Sequence, residues 1–299
     1  MVQPRTLPIT AHTALVGLLG DPVGHSLSPL MHNAALAALG LDWIYLALPT
    51  PAEQLAVVVE ALAALGCRGL NVTIPHKQAV AGLCRELSPL AERVGAVNTL
   101  VPLAGGGWHG TNTDVEGFLA PLRQQSWQGQ RAVVLGCGGS ARAVVAALVE
   151  LGCGEILLAG RRPEPLAALV ADCQPWAPQL RATPWSCLES ALRSAGLVVN
   201  CTPVGMASSG DPLEGPSSPL GAGQLALLAP GATVYDLIYV PRPTPLLQAA
   251  AAHGCRTIDG LEMLVQQGAA ALRLWSGTAE VPVAAMRTAA ASALAGESG

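Results

Sequence analysis

The chain is nearly devoid of lysine. Among 299 residues only Lys77 is one, and every other basic residue apart from the six histidines is arginine. A guanidinium keeps its proton throughout the range in which enzymes work, whereas an ammonium shifts its pKa readily when partly buried. A composition that has drifted so far toward arginine and still keeps one lysine points to a position that needs an amine able to release a proton. Aromatic residues are also scarce, at 3%, and Phe118 is the single phenylalanine, so Leu, Val and Ala must fill the cores. Only 12% of residues are charged and the net charge is −4 with no basic run, which argues against nucleic acid or acidic lipid as the main partner. No apolar run approaches the ~20 residues of a membrane span. Leu15 to Leu19, before Gly20-Asp21-Pro22, is too short for the apolar part of a secretion signal. It reads as a first strand behind a loose tail of about a dozen residues. The eight cysteines contain no C-x-x-C pair, which speaks against zinc and against a disulfide framework. They read as buried thiols in a reducing cytoplasm.

What is present is ordered and segmented. Apolar residues make up 51% of the chain, and its 33 glycines and 24 prolines are spread as turn punctuation, so the length suits two domains with separate cores. Strand and helix patterns alternate. After the Leu15 strand comes a turn-rich loop, Gly20 to Pro29, with Ser28 placed to cap a helix that begins at Pro29 and carries Leu30, Met31, Ala34, Ala35 and Leu39. A strand at Trp43 to Leu48, a helix at Pro51 to Leu65 and a strand at Asn71 follow. This alternation predicts a parallel α/β sheet. In Asn71-Val72-Thr73-Ile74-Pro75-His76-Lys77 the polar residues alternate, so Asn71 and Thr73 are expected on one strand face, with Lys77 in the turn after Pro75. Gly95 to Leu100 and Gly110 to Asp114 supply further polar residues around a Gly105-Gly106-Gly107 hairpin, and a helix is expected from about Val115 to Gln125.

The pattern restarts at Arg131. Ala132 to Leu135 reads as a strand, and Gly136-Cys137-Gly138-Gly139-Ser140-Ala141 is a G-x-G-x-x-A turn leading into a helix. Such a turn lets the backbone approach a pyrophosphate placed on the helix N-terminus. A bare glycine-rich connection would look the same, but the strand–turn–helix context and the second strand at Glu155 to Ala159 favour a dinucleotide site. That second strand ends in Gly160-Arg161-Arg162-Pro163 instead of an acidic residue, which favours NADP over NAD, although two solvated arginines would read alike. Further strands are expected at Leu197 to Asn200, at Thr233 to Tyr239 and near Thr257. Ala207 to Gly221 reads as a mobile loop, and the end of the chain as two Ala-rich helices, Leu261 to Ser276 and Pro282 to Ala295, with a fraying tail from Gly296. Read alone, Ser28 could be a simple cap, and Asn98 and Asp114 could be turn formers. His25, His32 and His76 lack metal-ligand spacing, so no metal is expected. A lining of neutral donors and acceptors suits a polyhydroxylated ligand.

In order along the chain, residues 20–33 (GDPVGHSLSPLMHN), 71–77 (NVTIPHK), 95–99 (GAVNT), 112–114 (NTD), 136–140 (GCGGS), 236–239 (DLIY) and 259–267 (DGLEMLVQQ) resemble the shikimate dehydrogenase family. The resemblance implies two α/β domains with a cleft between them. One is a substrate domain with a mainly parallel sheet, residues 1–115 plus 261–299, and the other a Rossmann-like NADP domain, residues 116–260. It implies NADP-dependent, reversible reduction of 3-dehydroshikimate to shikimate in aromatic amino-acid biosynthesis, by a cytoplasmic monomer or homodimer. Lys77 and Asp114 would form the catalytic pair. Ser26 and Ser28 would hold the substrate carboxylate, and Asn71, Thr73, Asn98, Asp114 and Gln267 the ring hydroxyls, with Tyr239 beside them. Gly136, Cys137, Gly138, Gly139, Ser140, Arg161, Arg162, Thr202, Leu237 and Gly260 would bind the cofactor. The family's phosphate clamp usually reads Asn-Arg-Thr with a further arginine three residues on; here Pro165 takes that last position, so the NADP preference is expected to rest on Arg161 and Arg162 and to be weaker than usual. An NAD-dependent quinate/shikimate dehydrogenase would more often carry threonine at Ser28. A non-enzymatic NADP sensor should have lost Lys77 or Asp114.

Overall fold

The computed structural model describes residues 8–206 and 217–296. The chain divides into two compact units, one running up to Gly117 and resuming at Leu264, the other Phe118–Met263. The first contains β1 (Ala14–Gly20), α1 (Ser28–Leu39), β2 (Trp43–Pro49), α2 (Leu55–Ala64), β3 (Gly69–Val72), β4 (Glu86–Leu87), α3 (Pro89–Val94), β5 (Thr99–Pro102) and β6 (Trp108–Thr111), and α4 (Asp114–Leu119) leads out of it. Its sheet order is β2-β1-β3-β5-β6-β4. β1 pairs parallel with both β2 and β3, and the β5–β6 hairpin joins β3 antiparallel. Helical crossovers force the parallel half, whereas the short Gly105–Gly107 connection allows only an antiparallel pair.

β3 explains a difference from the sequence pattern. All four of its residues are buried and it stops at Val72, so Asn71 and Thr73 do not share a strand face. A strand covered on both sides has no reason to alternate. Ile74, beyond the end of the strand, is exposed. Ser28 is likewise not the cap of α1: Leu27 holds that position, and Ser28 is the first helical residue, its N–H donating to Ser26 Oγ at 3.2 Å. Leu36 is buried in α1 while Leu30 is exposed. At the end of the tail, next to β1, Thr13 donates to Asp42 at 2.7 Å. Residues 1–7 and the 207–216 part of the expected mobile loop lie outside the described residues, as do 297–299.

The second unit contains β7 (Arg131–Leu135), α5 (Gly139–Glu150), β8 (Glu155–Gly160), α6 (Pro163–Cys173), β9 (Leu180–Pro184), α7 (Leu188–Leu192), β10 (Leu197–Asn200), α8 (Ala222–Leu225), β11 (Thr233–Asp236), α9 (Pro245–Ala252) and β12 (Arg256–Ile258). Its strands are all parallel, in the order β12-β11-β10-β7-β8-β9. The sheet therefore grows outward from β7 in both directions, and β7 and β10 flank the point where the order reverses. α4 is shorter than the helix expected there, and β11 ends at Asp236, three residues before Tyr239. Of the eight thiols, Cys187 is exposed and only Cys67, Cys153, Cys173 and Cys255 are buried. No helix among the described residues is long and apolar enough to cross a membrane.

The last helices, α10 (Leu261–Ser276) and α11 (Val283–Gly296), return to the first unit. Trp275 on α10 donates its indole N–H to the Leu100 carbonyl at 3.0 Å. His32 on α1 is buried there, stacked on Tyr45 with ring centroids 4.2 Å apart and tilted against Trp275. Burial lowers its pKa from 6.5 to about 3. Between those values the unfolded chain carries a proton that the folded chain refuses, so stability falls as pH drops through this window. The slope is about 1.4 kcal/mol per pH unit. Denaturant melts from pH 6.5 to 4.5 should show a shallower acid loss for His32→Leu than for the wild type. Parallel slopes would mean that other groups carry the acid response.

Candidate active site

Lys77 sits in a turn fixed from several sides. The turn follows the cis Ile74–Pro75 bond. His76 donates its backbone N–H to the Thr73 carbonyl at 2.9 Å, and its Nε2 donates to the Thr50 carbonyl at 2.6 Å. The Lys77 carbonyl accepts from Val97 N–H at 2.7 Å. With its backbone held, the side chain reaches Asp114, Nζ to Oδ2 at 2.6 Å, and the two side chains are only 14% and 6% exposed. Asp114 opens α4, and Asn112 Oδ1 accepts from its N–H at 3.0 Å while Asn112 Nδ2 donates to the Ala96 carbonyl. The carboxylate thus stands on a braced backbone.

Its second oxygen accepts from Asn98 Nδ2 at 2.7 Å. The orientation of the Asn98 amide follows from Thr113, whose backbone N–H donates to Asn98 Oδ1 at 2.7 Å; only an oxygen can stand there. Asn98 Nδ2 also lies 3.5 Å from Gln267 Oε1 on α10. Asn71 Nδ2 donates to the Asn98 carbonyl at 3.3 Å and to Thr99 Oγ1 at 3.2 Å, and Asn71 Oδ1 accepts from the Tyr45 hydroxyl at 2.9 Å. The first unit therefore brings Lys77, Asp114, Asn98, Asn71 and Gln267 into one network that extends to Tyr45, while the Ser28 N–H donates to Ser26 Oγ. Thr73 enters through its backbone. Tyr239 belongs to the second unit, where burial raises the pKa of its phenol.

Sequence reading assigned no role to Tyr45, Thr99, Asn112 or Thr113. Thr99, Asn112 and Thr113 stand directly beside residues it singled out, a signal that could have drawn them in. Tyr45, inside an apolar strand, offered none.

In the second unit the turn after β7 passes close to β10. Gly136 has φ +101°, and a Cβ there would lie 2.9 Å from Thr202 Cγ2, so both conformation and space require glycine. Gly138 occupies the N-cap of α5 without a side chain, leaving the first amides of a 12-residue helix uncapped. Such a cradle fits a pyrophosphate. Arg161 and Arg162 follow β8 in exposed positions ahead of α6. Thr202 is held by Asn200 Oδ1, which accepts from its N–H at 3.0 Å and its hydroxyl at 2.7 Å. Asn200 in turn donates to Asp236, which also accepts from Ile238 N–H and the Thr244 hydroxyl. Burial raises the Asp236 pKa. Leu237 and Gly260 meet beyond this network, where a Cβ on Gly260 would fall 2.0 Å from the Leu237 carbonyl oxygen. Asn200, Asp236 and Thr244, all buried, position these loops; the sequence reading assigned none of them a role.

A Rossmann-type sheet with a glycine-rich turn, together with an α/β unit carrying a braced Lys–Asp pair, defines a nicotinamide-dependent oxidoreductase of the two-unit α/β class. The family model for the shikimate dehydrogenase substrate binding domain matches residues 18–100, and that for the shikimate 5'-dehydrogenase C-terminal domain matches residues 260–291. The shikimate dehydrogenase (NADP(+)) of Synechococcus sp. (strain JA-2-3B'a(2-13)) is 53% identical over 287 residues, 96% of this chain and 98% of that protein. A solved shikimate dehydrogenase in complex with NADP+ aligns with a TM-score of 0.87 at 34% identity, covering 98% of this chain and 99% of that one. The Thermus thermophilus enzyme in complex with NADP(H) and shikimate aligns at 0.82 with 40% identity, covering 94% and 100%. The chain belongs to the shikimate dehydrogenase family.

Proposed function

We propose that this chain catalyses the reversible reduction of 3-dehydroshikimate to shikimate with NADP as cofactor. The observation that carries the mechanism is the ion pair of the single lysine with a carboxylate braced by Asn98. Ser26 and Ser28 bind the carboxylate of the substrate. Asn71, Thr73, Asn98, Asp114 and Gln267 take its hydroxyls. NADPH, when bound, supplies the hydride. As the carbonyl carbon is reduced, the C=O electron pair moves to oxygen, and Lys77 gives that oxygen its proton from Nζ. Asp114 fixes where the ammonium stands. The substrate role falls to the first unit and the cofactor role to the second. There Gly136, Cys137, Gly138, Gly139 and Ser140 form the pyrophosphate turn, Arg161 and Arg162 hold the 2'-phosphate, and Thr202, Leu237 and Gly260 complete the binding loops.

Two features of α6 bear on the cofactor. Pro163 and Pro165 remove amide donors from its first turn, and Glu164 puts a carboxylate there, so side-chain guanidiniums must hold a phosphate largely by themselves. Assaying oxidation of shikimate and of quinate with NADP and with NAD tests the whole reading, and shikimate with NADP should be the best combination. Arg161→Ala should then raise KM for NADP by the equivalent of about 1.5–3 kcal/mol, the scale of a hydrogen bond to a charged group, and leave KM for NAD in place. Faster turnover of quinate with NAD would overturn the assignment. Equal losses with both cofactors would give Arg161 a structural role.

A further inference from the structure

The buried network in the first unit has a direction. Two backbone groups set it: the Thr113 N–H fixes the Asn98 amide, and the Asn98 carbonyl, an acceptor only, fixes Asn71 Nδ2. Asn71 Oδ1 must then accept, so the one proton of the Tyr45 phenol goes to it. Thr99 accepts from Asn71 Nδ2 and donates to Asn98 Oδ1 at 3.0 Å, and Asn98 donates onward to Asp114. Donors therefore run in one sense from Tyr45 through Asn71, Thr99 and Asn98 to the carboxylate that receives Lys77.

Tyr45, like Thr99, is a link in this chain that no ligand can touch. Its side chain is fully buried, and its ring is stacked on His32 and tilted against Trp275. We propose that Tyr45 is a positioning residue for the substrate site, its phenol proton fixing Asn71 as an acceptor toward the ligand. Both Asn71 N–H groups are already used, so toward a ligand Asn71 offers only its remaining lone pair and selects a hydroxyl donor. This rests on the proposed assignment of Asn71 as a substrate contact.

Tyr45→Phe removes the phenol and keeps the stacked ring. Calorimetric titration with shikimate should show binding weakened about tenfold, the effect of one lost hydrogen bond at a buried acceptor. In an Asn71→Ala background the same change should add less than about twofold, because the bond it removes is already gone. The pH profile of kcat should stay where it is in the wild type, and the NADP dissociation constant, read on the other unit, serves as the control for folding. In the wild type, the phenol proton should exchange slowly enough to be seen by NMR and should shift on saturation with shikimate, a test that needs no variant. Unchanged shikimate affinity in Tyr45→Phe, an equal loss in both backgrounds, or a phenol resonance indifferent to shikimate would each overturn the proposal. If Asn71→Ala itself binds shikimate normally, the substrate assignment falls and the inference with it. If Asn71→Ala weakens binding and Tyr45→Phe does not, only the inference falls.

Discussion

Lys77→Ala should lower kcat by about 10²–10⁴-fold, the usual size of a general acid–base contribution, while shikimate still binds. The alanine removes charge and proton together, and Lys77→Arg separates them. A guanidinium can pair with Asp114, but it has no useful proton equilibrium. If the ammonium served only to stabilise negative charge on the substrate oxygen, the arginine enzyme should recover much of the lost rate. Proton transfer requires that it stay nearly as slow as the alanine enzyme, with calorimetry showing that the bulkier group has not blocked shikimate. We expect the second result. An arginine variant with near-normal kcat and KM would remove the acid–base role.

Asp114→Asn should cost a comparable factor, about 10²–10⁴-fold in kcat/KM, although the new side chain has the same outline. The carboxylate accepts at both ends, from Lys77 at Oδ2 and from Asn98 at Oδ1. An amide can accept at one end only, so its NH2 must face either the ammonium or the Asn98 NH2. Asn98 cannot turn to relieve this, because the Thr113 N–H holds its oxygen. One anchor of the catalytic pair is lost in either arrangement, and the lysine loses its counter-charge in both. The NADP dissociation constant should stay unchanged and the melting temperature should fall modestly. Activity within fivefold of the wild type would show that the pair needs neither the charge nor the second acceptor.

The parts of the molecule that were legible in the sequence are those whose causes are local. The β7–Gly136–α5 turn is visible because one strand, one backbone conformation and one helix start follow one another within twenty residues. The β5–β6 hairpin is visible because Gly105 to Gly107 can only turn back. Asn71 and Thr73 misled because alternation signals a strand with one wet face, and β3 has none. Ser28 misled by a single residue, since Leu27 already has helical backbone and Ser26 takes the bonding role. Tyr45 could not be found at all from pattern. Its partner Asn71 lies 26 residues away along the chain, and only the sheet brings the two side chains together.

The solitary lysine has a spectroscopic consequence. A protein grown with lysine labelled at the side-chain nitrogen carries one enriched position, so its ammonium spectrum needs no assignment. That single line comes from a group 2.6 Å from Asp114 and 14% exposed, sheltered enough for its attached protons to persist. Its shift and scalar splitting would report the ionic state of Lys77 directly as shikimate and NADP are added in turn. An intact enzyme thereby carries a native reporter at the atom whose proton the reaction moves.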